Sequence, residues 1–293
     1  MDHSILHQAD WWEKTENNII ECQLCPHHCR ITSGKTGFCG VRKNISGTLY
    51  SLAYGHPVAL AVDPIEKKPL AEFLPGSKAL SFGTYGCNFN CCFCQNDSLS
   101  RGFYDEEKFP QYVPPIAFVS MAKKYSCASI AYTYNEATVD AEYMRDIAIE
   151  ANKAGIKNVL VTNGFIDFAV AQELYPLMDA VNIDMKGFSE DFYAEMCGGQ
   201  LKPVLSAIQL LYKLKKHMEI TNLVIPGKND SEEMIASWLD WVEVNLDKKV
   251  PLHFTAYFPA YKLTIPPTPK QTLWRIREEA LSRGFTSIYL GNI

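Results

Sequence analysis

From about Ala79 onward the chain alternates short apolar runs rich in β-branched and aromatic residues with longer amphipathic stretches. The first pattern predicts strands over Ala79–Tyr85, Ser129–Tyr134, Asn158–Asn163, Ala180–Lys186, Met218–Ile225 and Leu252–Phe258, with a weaker one at Ser287–Leu290. The second predicts helices over Ala137–Ala154, Lys202–Lys215, Ser231–Asn245 and Pro269–Arg283. Strand and helix in alternation imply β-α units around a parallel sheet. Six strong strands are fewer than the eight of a closed barrel, so a partial barrel or an open parallel sheet fits the count, and the expected fold is α/β, a partial (β/α)6 TIM-like barrel spanning 76–293. In such a fold the loops leaving the strands' C-terminal ends build the site.

Residues 1–75 follow another pattern, with clustered cysteines and then short β-like runs between Leu49 and Val62, ending at Pro75-Gly76. They are expected to form a small cysteine-rich module. At 293 residues the chain can bury a core without disulfide staples. Its 28 basic and 33 acidic residues leave a formal charge of -5 and no basic stripe, which argues against nucleic acid as the partner. Met1 to Lys14 lacks the basic start and apolar stretch of a secretion signal, and no apolar run reaches bilayer-spanning length. The expectation is a cytoplasmic protein without a membrane partner.

Cysteine usage sharpens the picture. Eight of the ten cysteines fall in two tight clusters, which points to metal ligation rather than disulfides. Cys127 and Cys197 stand apart and are read as small buried hydrophobes. The segment Gly86 to Asn96 follows the first barrel strand and carries Cys87, Cys91, Cys92 and Cys94. Three thiolates from one loop satisfy three irons of a 4Fe-4S cubane and leave the fourth open. The spacing C-x3-C-x-aromatic-C selects Cys87, Cys91 and Cys94 and leaves Cys92 free, with Phe93 beside the third thiol to exclude water and lie near a bound adenine. A zinc knot and a redox disulfide between Cys91 and Cys94 are the competing readings.

These residues resemble the signature of the radical S-adenosylmethionine (SAM) superfamily. The resemblance implies a cluster whose open iron binds the methionyl end of SAM, and an electron transfer that yields a 5′-deoxyadenosyl radical for hydrogen abstraction. Further tokens are similar to those of activases like pyruvate formate-lyase activating enzyme. By that resemblance Asn135 and Glu136, after the second strand, contact the methionyl amino group, while an Asn135 helix cap is the ordinary alternative. Thr162, Asn163 and Gly164 match the activases' Thr-Asn-Gly, although Val161 stands where they carry an acid. Alternation places Asn182, Asp184 and Lys186 on one strand face, and if that face is inward Asp184 and Lys186 lie near SAM's carboxylate and ribose. His253, on the sixth strand, is a candidate contact to SAM or substrate.

The leading module supplies Cys22, Cys25, Cys29 and Cys39. Four thiolates close a tetrahedral site, for which structural zinc is the preferred occupant, an auxiliary 4Fe-4S cluster the next, and free thiols the plain alternative. With Asp63 to Leu70 and Phe73 to Ser77, the module resembles the AmmeMemoRadiSam radical SAM family. That resemblance implies AMMECR-type and Memo-like proteins as partners and flavodoxin or ferredoxin as electron donor. Activation of a glycyl-radical enzyme is the alternative function, and a non-catalytic zinc scaffold the third. The charged stretch Asp63 to Leu70 is read as a lid over the substrate mouth, its ordinary reading being a solvated turn.

Overall fold

A computed structural model describes residues 6–101 and 111–293, so Met1 to Ile5 of the opening segment lie outside the described residues. The main sheet runs β7 (Ala59–Pro64), β8 (Lys78–Gly83), β9 (Ser129–Tyr132), β10 (Lys157–Thr162), β11 (Ala180–Asp184), β12 (His217–Val224), β13 (Leu252–Ala256) and β14 (Ile288–Gly291), in that spatial order. Strands β8 to β14 are parallel, and β7 pairs antiparallel with β8 through six positions, from Ala59↔Gly83 to Pro64↔Lys78. No ladder joins β14 to β7 among the described residues, so the sheet is an open, partial barrel. The strand expected to be weak is a full member, with β14 in register on β13 from Leu252↔Ile288 to Thr255↔Gly291.

Helices lie between the strands: α1 (Asp97–Ser100), α2 (Pro115–Lys124), α3 (Ala141–Lys153), α4 (Phe168–Leu174), α5 (Glu190–Phe192), α6 (Leu201–Lys213), α7 (Glu232–Asn245) and α8 (Lys270–Ser282). Ser231 caps α7 by accepting from the Met234 N–H at 3.2 Å, as a serine before an amphipathic run should. The strands are buried on both faces, as parallel strands beneath helices are. Large side chains such as Leu80, Phe82, Ile130, Tyr132, Leu160 and Phe254 belong to the main core, Phe82 meeting Phe118 of α2 at a tilt and Phe254 meeting Trp238 of α7 edge to face.

The inner face alternates with small residues, and something unexpected fills it. Ala79, Ala131, Val159 and Ala180, near the strands' starting ends, pack against Ile65, Leu70 and Phe73. The β7–β8 connection is therefore a plug in the floor of the sheet, not a lid over its mouth. Apolar burial explains the difference, because Ile65 and Leu70 are completely buried and match the space left by the alanines. Polar groups hold the plug in place: Asn182 Nδ2 donates to the Pro69 carbonyl at 2.7 Å, and Glu219 accepts from the backbone N–H groups of Ala71 and Glu72, both at 2.9 Å. Lys68 is buried and pairs with Asp63 at 2.8 Å.

The leading residues make two small antiparallel sheets. One has the order β1 (His7–Gln8), β6 (Thr48–Ser51), β5 (Arg42–Ile45), and the other β2 (Trp12–Lys14), β3 (Ile20–Cys22), β4 (Arg30–Ile31). Arg42 joins them to the barrel through its Nη1, which donates to both carboxylate oxygens of Glu142 of α3 at 3.0 and 2.9 Å, while Nη2 donates to the Asp10 carbonyl, both side chains being withdrawn from solvent. Burial opposes the guanidinium charge, but Glu142, aided by Cys22 and Cys39, outweighs it and leaves the Arg42 pKa raised. Among the described residues no helix is long and apolar enough to cross a membrane.

Candidate functional site

The loop leaving β8 carries the central cysteines, and its neighbours are arranged to hold its backbone. A Cβ on Gly83 would stand 2.6 Å from the Thr133 carbonyl, and one on Gly86, whose φ is +91°, would stand 2.6 Å from the Cys39 carbonyl. Only glycine fits either place. Asn135 spans the first turn of the loop: its Oδ1 accepts from the Thr84 N–H at 3.0 Å, and its Nδ2 donates to the carbonyls of Tyr85 and Gly86 at 3.2 and 3.0 Å. Its amide is committed to the loop, and the helical cap belongs to Glu136 instead.

Glu136 is buried and accepts four hydrogen bonds, from Thr138 N and Oγ1 at 3.0 and 2.6 Å, Thr162 Oγ1 at 2.7 Å and Asn163 N at 2.7 Å. Asn163 continues the chain to the cysteines, donating to Asn88 Oδ1 at 2.8 Å and lying 3.9 Å from Cys87 Sγ. Asn88 Nδ2 reaches the Phe165 carbonyl at 2.6 Å, and Arg101 donates to the carbonyls of Cys87 and Phe89. Asn135, Glu136, Thr162 and Asn163 thus converge on the start of the loop. Asn88 and Arg101 are further members that spacing arguments passed over, although Asn88 lies inside the motif itself.

The four thiols have different neighbours. Burial first, then the charges of Glu136 and Cys91, hold the Cys87 pKa above the ordinary thiol range, while Cys91 is raised chiefly by a hydrogen bond with Cys197 and then by burial. Cys94 Sγ is 3.6 Å from Ser100 Oγ. Cys92 turns to Met196, its Sγ 3.9 Å from the thioether sulfur. Phe93 is buried with its ring 6.1 Å from Phe192. Lys186 forms an ion pair with Asp184, and although burial opposes its charge, Asp184 and then Cys91 raise its pKa. Asp184 Oδ1 is a buried acceptor with no partner among the described residues and lies near Cys91, whereas Asn182 faces the plug.

His253 goes elsewhere. Its Nε2 is 2.5 Å from Glu219 Oε2 and its ring stacks on Tyr289, which ties it to the floor network rather than to the cysteine loop. In the leading module Cys22, Cys25, Cys29 and Cys39 line one cavity together with His27, Arg42 and Asn88. Burial raises the thiols of Cys25 and Cys29 and pushes Cys39 up to about 11. The cavity abuts the central loop, since His27 Nε2 lies 2.8 Å from the Asn88 carbonyl oxygen. Among the described residues no three His, Cys, Asp or Glu side chains are drawn into a closed metal-ligand group. The donor chemistry nonetheless fits a sulfur-ligated centre at the central loop, where four thiols lie on one braced segment.

A model of the radical SAM superfamily matches residues 82–239. An uncharacterized protein of Methanocaldococcus jannaschii is 41% identical over 289 residues, covering 98% of this chain and 86% of its own. The pyruvate formate-lyase 1-activating enzyme of Escherichia coli K12 is 24% identical over 217 residues, 69% of this chain and 88% of that protein. Among solved structures, a radical SAM methyltransferase from Sphaerobacter thermophilus aligns with a TM-score of 0.56 at 13% identity, over 75% of this chain and 68% of the other, a likeness of fold. Superfamily match and thiol loop agree: the chain belongs to the radical SAM superfamily, and is an enzyme that works with a 4Fe-4S cluster, SAM and a one-electron reductant.

Proposed function

We propose that Cys87, Cys91 and Cys94 ligate the cluster and that the enzyme abstracts a hydrogen atom from its substrate after reductive cleavage of SAM. When bound, the cluster supplies the electron that parts SAM into methionine and a 5′-deoxyadenosyl radical. The chain's own residues position and shield. Asn135, Glu136, Thr162 and Asn163 fix the loop against β9 and β10, which supports a role in holding the methionyl end through the loop they brace. Asp184, with its open Oδ1, and Lys186 present opposite charges to SAM's ammonium, carboxylate and ribose hydroxyls. Phe93 keeps water from the third thiol.

The observation that carries this reading is the thiol loop leaving β8, braced by Asn135, Asn163 and Arg101 at its start. Its test is anaerobic reconstitution with iron and sulfide, followed by dithionite and SAM. The expected outcome is 5′-deoxyadenosine in the chromatogram, and zinc alone in the central site would overturn it. The relationship to an activating enzyme supports a second reading, activation of a glycyl-radical enzyme, which appearance of a glycyl EPR doublet in such a partner would establish. AMMECR-type and Memo-like proteins are the other proposed partners, with flavodoxin or ferredoxin as donor. For Cys22, Cys25, Cys29 and Cys39 we propose zinc, supported by their shared cavity, with an auxiliary cluster as the outcome that metal analysis would distinguish. Thiolate ligation suits a reducing compartment, the cytoplasm.

A further inference from the structure

Three successive carbonyls at the start of the cysteine loop are taken by side-chain donors from outside it. Arg101 Nη2 donates to those of Cys87, at 2.7 Å, and Phe89, while the Asn88 carbonyl between them faces His27 Nε2 at 2.8 Å. A carbonyl oxygen only accepts, so His27 carries a proton on Nε2 and donates it. The N–H at the other end of that same peptide unit, Phe89 N, donates to Cys87 Sγ at 3.3 Å. One rigid plane thus links an imidazole of the leading module to a sulfur of the central loop. The imidazole is itself held, its ring 4.3 Å from that of Phe38 and edge-on to Phe165 at 5.1 Å, and it lines the cavity that Cys22, Cys25, Cys29 and Cys39 share. The buried Asn88 side chain is tied at both ends, accepting from Asn163 at 2.8 Å and donating to the Phe165 carbonyl at 2.6 Å, so the peptide it precedes has one orientation.

We propose that His27 is a positioning residue for the cluster: it holds and polarises the peptide between Asn88 and Phe89, so that the Phe89 N–H donates to the Cys87 sulfur. The inference rests on Cys87 being a ligand. Hydrogen bonds in a chain strengthen one another, because a peptide whose carbonyl accepts has a more positive N–H. At Cys87 that N–H meets a sulfur that is anionic once it ligates iron, an acceptor that gains more than a neutral one. Donors to ligand sulfurs favour the more negative, reduced state of an iron-sulfur centre and raise its potential. His27 therefore makes the cluster easier to reduce, acting from a module that supplies none of its ligands.

The test uses the anaerobically reconstituted full chain, with an EPR-monitored redox titration of wild type, His27→Phe and His27→Gln that follows the signal SAM perturbs. His27→Phe keeps a ring against Phe38 and Phe165 without a donor, and His27→Gln keeps an N–H. Expected for His27→Phe is unchanged iron and sulfide content with a potential lowered by about threefold in the one-electron equilibrium, ~28 mV. His27→Gln should stay close to wild type. His27→Leu gives the donor-free comparison if the phenylalanine variant does not fold. An unchanged potential in a loaded donor-free variant would overturn the proposal, as would an equal drop in His27→Gln. So would loss of the cluster from both His27→Phe and His27→Gln with the far-UV spectrum intact, because His27 would then be needed to build the centre rather than to tune it. Failure of the wild type to assemble a SAM-sensitive cluster would instead defeat the ligand assignment itself.

Discussion

Glu136 and Glu219 are both buried and each collects four hydrogen bonds, yet they serve different parts of the molecule. Glu136 gathers Thr138, Thr162 and the Asn163 amide beside the cysteine loop. Glu219 gathers two plug amides and the imidazoles of His217 and His253. A buried carboxylate is costly unless surrounded by donors, and each glutamate fixes the backbone that surrounds it. The difference lies in what is fixed: a loop that carries chemistry in one case, an apolar stopper in the other.

The comparison can be broken most decisively at the thiols. Replacing Cys87, Cys91 or Cys94 by Ala should abolish 5′-deoxyadenosine formation, while Cys92→Ala should retain most of it; equal loss in all four would remove the basis for treating the loop as sorted. The two glutamates come next. Glu136→Gln should cut 5′-deoxyadenosine formation per folded molecule at least tenfold, because an amide N–H would face the Asn163 donor. Glu219→Gln should destabilise by about 2–3 kcal/mol in urea unfolding, as expected where an amide replaces a buried carboxylate that accepts several hydrogen bonds, yet keep turnover per folded molecule within about twofold. Equal catalytic losses would erase the distinction between floor and mouth.

Acid should expose the floor separately. Burial alone would raise the Glu219 pKa, but His217, His253 and the two plug amides outweigh it and lower it from 4.5 to about 2. A carboxylate depressed by folding adds stability above its unfolded pKa, and loses it as pH falls through the folded value. Wild-type stability should therefore decline between pH 4.5 and 2, by on the order of 3 kcal/mol, and Glu219→Gln should flatten that decline. A Glu219→Gln profile as steep as wild type would assign the acid sensitivity elsewhere. The smallest effect calibrates the others: Ser231→Ala, which removes only the α7 cap, should cost about 1 kcal/mol in thermal or urea unfolding and leave cluster and floor alone.

Much of this architecture was legible in the sequence, because local periodicity records burial directly. The expected strands and long helices lie within a few residues of β8 to β14, α3, α6, α7 and α8. The cysteine spacing also identified the thiol loop and the four cysteines that share the second cavity. What escaped depends on distant partners. Glu219 meets Ala71 across 148 residues, and nothing near either residue announces the other. The stretch from Asp63 to Leu70 reads as polar because its charges are conspicuous, whereas Ile65 and Leu70 decide where it goes. Cys197, solitary in sequence, meets the cysteine loop only in the folded chain, where its carbonyl accepts from Asn90 N at 2.7 Å. His253 shares a strand pattern with any inward residue, so the pattern could not tell floor from mouth.

The stopper formed by Ile65, Leu70 and Phe73 gives the partial barrel the topology of a well rather than a pipe. With Ile65 and Leu70 fully buried, apolar side chains close the base beneath the cysteine loop. Shielding of that loop then rests on what covers the strands' C-terminal ends and the open flank between β14 and β7.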